Sequence, residues 1–142
     1  MRSGKYLPAA GRMRQNAAMA SRWKRAAPPL LAGLLGTAGV MHFVAPKQFA
    51  QIIPKALPAP EFLVAASGVA ELALAATVLV PKTRRVGALA AAAFFVGVFP
   101  ANLQMALDSG QGSTWYRLGT YARLPLQAPL VGWALSVARN AK

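Results

Sequence analysis

Residues 60–80, PEFLVAASGVAELALAATVLV, form a run of 21 mostly apolar residues that has Glu61 at its outer edge and a second carboxylic acid, Glu71, at its middle. Bilayer hydrocarbon is about 30 Å thick and a helix rises about 1.5 Å per residue, so roughly 20 apolar residues suffice to cross it. The run therefore predicts a membrane-spanning helix. Its nine Phe, Leu and Val residues each favour insertion by roughly 0.3–0.6 kcal/mol, against about 3 kcal/mol for a central carboxylate. Insertion wins by a narrow margin, and a glutamate retained where alanine is so common calls for a role.

Three further stretches extend the pattern. Residues 26–45 follow Arg25 and begin with Pro28 and Pro29, which reads as an opening helical turn where a missing N–H costs little. Residues 86–107 carry no formal charge, and their alanine-rich section 88–93 suits tight packing. The fourth apolar stretch, LPLQAPLVGWALSV at 124–137, has 14 residues and reaches only about 21 Å as a helix. The preceding WYRLGTYAR has to complete that crossing or shelter among other helices, which gives a fourth span near 120–138. The expected fold is thus an all-α polytopic membrane protein: a four-transmembrane-helix bundle over residues 26–142, with spans near 26–45, 60–80, 86–107 and 120–138. Residues 1–25 would form a basic arm, disordered or lying on anionic headgroups. Met19 offers a second start site.

Composition supports a membrane class. Hydrophobic residues make up 56% and charged residues 13%, against about a quarter charged in ordinary soluble domains. A net charge of +13 would suit a nucleic-acid partner if it formed a basic face on a soluble fold. Instead seven basic residues precede the first apolar run and most others lie in gaps between runs, as they do beside membrane spans. Nucleic-acid binding is therefore not expected. Seven basic residues in the arm, three in the loop PKTRR and two in the tail oppose four on the alternate side, so the positive-inside rule puts both termini in the cytoplasm. Reading the first run as a cleaved signal peptide is disfavoured, because no small-residue cleavage site follows GTAGVMHF. The absence of cysteine excludes disulfides, thiol chemistry, iron–sulfur clusters and cysteine zinc sites within the chain.

Polar residues converge on one depth. Glu71 lies about 16 Å along its span, and Ser67 and Gly68, one turn back, make a notch for a neighbouring helix. Gly33, Gly36 and Gly39 form a stripe on the first span that suits close helix contact. His42 ends that span, Asn102 follows Pro100 on the third, and Arg123 and Gln127 share a face at i, i+4 on the fourth. Pro100 leaves the Val96 carbonyl without its helical donor. Gln104 points away from Asn102, about 200° around the helix. Between the first two spans, Phe49, Ile52 and Ile53 at i, i+3, i+4 predict an apolar-faced turn in the interface, capping the outer mouth.

Each polar residue also has a plain structural reading. Glu71 could be a neutral acid bonded between helices or a partner of Arg123, and His42 an interfacial hydrogen-bonding residue. Arg123 could be a snorkelling anchor, and Trp115, Tyr116, Tyr121 and Trp133 members of interfacial belts. One histidine cannot supply bis-histidine haem ligation, and no metal site is expected.

The segments GTAGVMHFVAPKQFAQIIP, LPAPEFLVAASGVAELALAATVLVPKTRRVGAL, FPANLQMAL and RLPLQAPLVGWAL, in that order, resemble the DoxX-like family of small four-helix membrane proteins. The resemblance implies a multi-pass protein of the bacterial cytoplasmic membrane, accessory to or a subunit of an oxidoreductase linked to quinones or oxidative stress. It singles out His42, Pro46, Glu71, Pro100, Asn102, Arg123, Pro125 and Gln127. On this reading a quinone is the expected ligand, with Glu71 as proton acceptor or hydrogen-bonding group and the other polar residues shaping the site. A non-enzymatic anchor or assembly factor for other membrane proteins is the alternative. Solute transport is weaker, since four spans without an inverted repeat are few for a transporter, although a homo-oligomer would ease that objection.

Overall fold

The computed structural model describes residues 9–141. Helix α1, Ala9–Val44, begins well before the first apolar run. The arm is rich in Ala, Arg and Met, all strong helix formers. Its described part is therefore continuous with the first apolar run instead of forming a separate segment. Pro28 and Pro29 consequently lie inside α1, not in an opening turn. Each withdraws a backbone donor from the helical ladder. The site is braced from outside: Ala27 and Pro28 are buried, Trp133 Nε1 donates to the Ala27 carbonyl at 3.2 Å, and the Trp23 and Trp133 rings lie 5.9 Å apart.

Pro46 opens the short helix α2, Pro46–Ala50. Helix α3, Pro60–Leu79, follows from Ala59, whose φ of 51° turns the chain into it. The third apolar run, expected as one span, is two helices, α4 Arg84–Gly97 and α5 Phe99–Asp108, hinged at Val98. Pro100 explains the break, because it cannot donate to the preceding turn. Helix α6, Thr114–Asn140, starts at Ser113, whose side chain accepts the Tyr116 N–H at 3.3 Å. It absorbs the polar residues ahead of the fourth apolar stretch: Thr120 and Gln127 are buried, while Tyr116 and Tyr121 are exposed.

The described residues are helical throughout their regular elements, with no strand. Three helical segments are long and apolar enough to cross a membrane: Ala9–Val44, Pro60–Leu79 and Arg84–Gln111, the last taking α4 and α5 together. Helix α6 is long enough, at 27 residues or about 40 Å, but is more polar. The main packing is α1 on α3, α4 on α6, and α3 on α4. Leu31, Leu35 and Val78 are buried among Ala88, Ala91, Ala134 and Val137, in the half of the molecule nearer the termini. Alanine at these positions lets helix backbones approach closely. The tight turn after α3 is fixed by Arg84, whose guanidinium donates to the Val78 and Leu79 carbonyls at 3.0 and 2.9 Å. A cation there also complements the helix C-terminus.

Candidate functional site

The site begins with a close crossing of α1 and α3. A Cβ on Gly68 would stand 2.8 Å from Phe43 Cε2 and 2.9 Å from His42 Cβ, and one on Gly39 would stand 3.0 Å from the Gly68 carbonyl. Only glycine permits that approach. Gly36 makes ordinary contact with Ala75, and Gly33 faces open space, so of the expected glycine stripe only Gly39 sets the crossing. Gly87 plays a similar part between α3 and α4, where a Cβ would meet Thr77 Oγ1 at 2.5 Å. Sequence spacing gave no sign of that second contact.

The crossing brings His42 to Glu71, with Nδ1 and Oε2 3.0 Å apart. Nδ1 is also 2.8 Å from the Ala38 carbonyl. That carbonyl can only accept, so a proton on Nδ1 is the arrangement that satisfies it. One N–H directed at Ala38 cannot also satisfy Glu71, and Oε2 is buried without a hydrogen-bond partner from the protein. Glu71 as a whole is 7% exposed. Leaving such an oxygen unmatched costs about 1–3 kcal/mol, more if it is charged. The Phe49 ring stacks on His42 with centroids 4.0 Å apart, fixing the imidazole plane.

A second polar contact spans α5 and α6. Asn102 Nδ2 donates to Gln127 Oε1 at 3.0 Å, and Gln127 Nε2 donates to the Phe95 carbonyl. The acceptor that Gln127 takes is the Phe95 carbonyl, not that of Val96, the group expected to lack its helical donor at Pro100; Val96 accepts an N–H at the end of α4. Arg123 does not pair with Glu71, the alternative that its charge suggests. Its guanidinium is 3.8 Å from Met105 Sδ, a weak acceptor. Gln104 bonds Asp108 at 2.8 Å, away from this group, as its angle predicts.

Both polar contacts open into one cavity of about 460 Å³, lined by His42, Ser67, Glu71, Asn102, Arg123 and Gln127. All five residues expected at the site thus share it. Phe94, Phe95, Leu126 and Leu130 supply apolar wall. Phe49, Ile52 and Ile53, expected as an apolar-faced turn capping the outer mouth, line the cavity. Glu71 and Gln127 are buried while Arg123 is exposed, so the lining runs from a deep acceptor to a cationic rim. Among the described residues no three His, Cys, Asp or Glu gather as metal ligands. Phe95 and Met105 were missed as parts of the site, and so was the stacking of Phe49 on His42, because each acts through tertiary contact.

These features define a class: an all-helical protein with three segments able to cross a membrane and an apolar-walled cavity tipped with hydrogen-bonding groups. More specifically, the chain belongs to the family described as Domain of unknown function (DUF8561), whose model matches residues 31–138. The match contains every residue of the polar cluster. It also overturns the resemblance to the DoxX-like family, which no family match supports. The shared features were generic ones: short apolar spans, proline-bounded loops and an intramembrane acid. No curated protein and no solved structure matches the chain.

Proposed function

We propose that this is a multi-pass membrane protein that binds a small lipid-soluble molecule with a hydrogen-bonding head, holding that head against Glu71. The observation that carries this reading is the buried, unpartnered Glu71 Oε2 at the end of an apolar-walled cavity. Ionisable groups at membrane depth are costly and mark ligand or proton sites, and small-molecule sites combine apolar walls with a few convergent polar groups. A quinone-like ring is one head that fits these terms. Four passes, α1, α3, α4 with α5, and α6, form the bundle, with both termini cytoplasmic. The distribution of basic residues supports that direction.

Two experiments test the proposal. The chain has no cysteine, so single cysteines replacing Lys55 and Lys82 report topology directly. An impermeant maleimide added to intact cells is expected to label position 55 and not position 82. Tagged protein extracted from its native membrane in mild detergent is expected to carry a stoichiometric lipophilic molecule, detected by mass spectrometry. Glu71→Gln should lose that molecule while remaining folded; equal retention by the variant would refute the site.

A further inference from the structure

A second cavity, of about 630 Å³, lies between α3 and α4 near the turn that joins them. Its floor is made of small side chains: Ala70, Ala73, Thr77, Gly87 and Ala90. Leu74, Val86 and Phe94 complete an apolar channel, and Lys82 stands at one end. The depth comes from the Gly87–Thr77 contact, which leaves no room even for a Cβ. At the Lys82 end, Arg84 is committed to the Val78 and Leu79 carbonyls and Thr83 Oγ1 to the Thr77 carbonyl at 2.9 Å. Lys82 is exposed and forms no ion pair among the described residues.

The charge around this end is of one sign. Lys82, Arg84 and Arg85 stand beside the termini-bearing end of the molecule, where Arg22, Lys24, Arg25 and Arg139 also lie. The acidic residues of the sequence are Glu61, Glu71 and Asp108. Glu61 begins α3 and Asp108 ends α5, both at the far end, and Glu71 is buried. An occupant must therefore combine an apolar chain with an anionic group at the cytoplasmic headgroup level. We infer that the α3–α4 cavity is a site for an anionic phospholipid, one acyl chain along Ala70, Ala73 and Ala90 and the phosphate at Lys82. Basic groups beside a cleft between membrane helices recognise such heads. This site is separate from the Glu71 cavity, and Phe94 lines both.

The test uses the full chain in detergent micelles doped with equal phosphatidylglycerol and phosphatidylcholine, with bound lipids counted by native mass spectrometry. Wild type is expected to retain phosphatidylglycerol with a preference of about fivefold, the size expected for one basic side chain at an anionic surface. Lys82→Gln should reduce that preference to near parity, whereas Lys55→Gln, at the opposite end, should leave it intact. Ala73→Phe, which fills the channel from a lipid-facing position, should lose the retained lipid of either kind without unfolding the protein. Equal retention of the two lipids by wild type, or a preference indifferent to both Lys82→Gln and Ala73→Phe, would overturn the proposal. So would a dimer that Ala73→Phe disrupts, since a second copy would then occupy the channel.

Discussion

In the half nearer the termini, Leu31, Leu35 and Val78 are almost completely buried against Ala88, Ala91 and Ala134. Farther along the same helices the packing opens into a cavity of about 460 Å³ that collects Glu71, Asn102 and Gln127. Both halves use close helix approaches, Gly87 on Thr77 in one and Gly39 on Gly68 in the other. What differs is the side chains beyond the contact. Alanines fill the first half, whereas His42 and Glu71 project from the second crossing and hold a space open. In the first half the α3–α4 cavity lies outside the alanine-packed core, and that core fixes the helix geometry that allows the other half to carry an uncompensated polar atom in its interior.

The comparison predicts unequal costs for similar deletions. Leu31→Ala should destabilise the protein by about 2–3 kcal/mol, since the lost contacts leave a void. Leu126→Ala, on the cavity wall and half exposed, should cost well under about 1 kcal/mol. Unfolding in detergent, followed by circular dichroism against denaturant, measures both; equal costs would erase the distinction between the halves. Gly68→Ala should cost about 1–3 kcal/mol by forcing α1 and α3 apart. It should also separate His42 from Glu71 and weaken ligand retention, a double effect that no substitution in the alanine-packed core shares.

Gln127→Ala should cost about 1–2 kcal/mol, because the Phe95 carbonyl and Asn102 both lose their partner. Asn102→Ala should cost less, since Gln127 keeps its bond to Phe95. A reversed order would place the anchor of α6 on α5 and not on α4. At the small end, Gly33→Ala should be neutral or stabilising by up to about 1 kcal/mol. Its Cβ meets nothing, and alanine is the better helix former. A clear loss there would restore the full glycine stripe as a packing device.

Much of this was legible from periodicity and cost. The cost of placing Glu71 in an apolar run and the shared face of Arg123 and Gln127 follow from local rules, and the five expected residues do line one cavity; the division of residues 86–107 into α4 and α5 was not anticipated, although Pro100 stands in that run. The pairing was not legible. Charge alone pointed Glu71 toward Arg123, but the Gly39–Gly68 crossing delivers His42, and only tertiary geometry reveals which helices cross there. The continuity of α1 through Pro28 and Pro29 was hidden for a related reason: Trp133 of α6 supports a segment that local rules mark as a start. Family resemblance misled because apolar spans, proline-bounded loops and a lone acid are patterns that membrane-crossing segments of many families share.

The central claim is that Glu71 Oε2 is completed by a ligand within the cavity. Infrared spectroscopy of protein carrying ¹³C-labelled glutamate addresses it directly. Glu61 is exposed at the start of α3 and Glu71 is buried, so a band removed by Glu71→Gln belongs to the cavity. The account predicts that this band shifts when co-extracted lipophilic material is stripped and returns when the extract is restored. A Glu71 band unchanged by stripping would contradict it and leave the acid as a helix-packing contact alone.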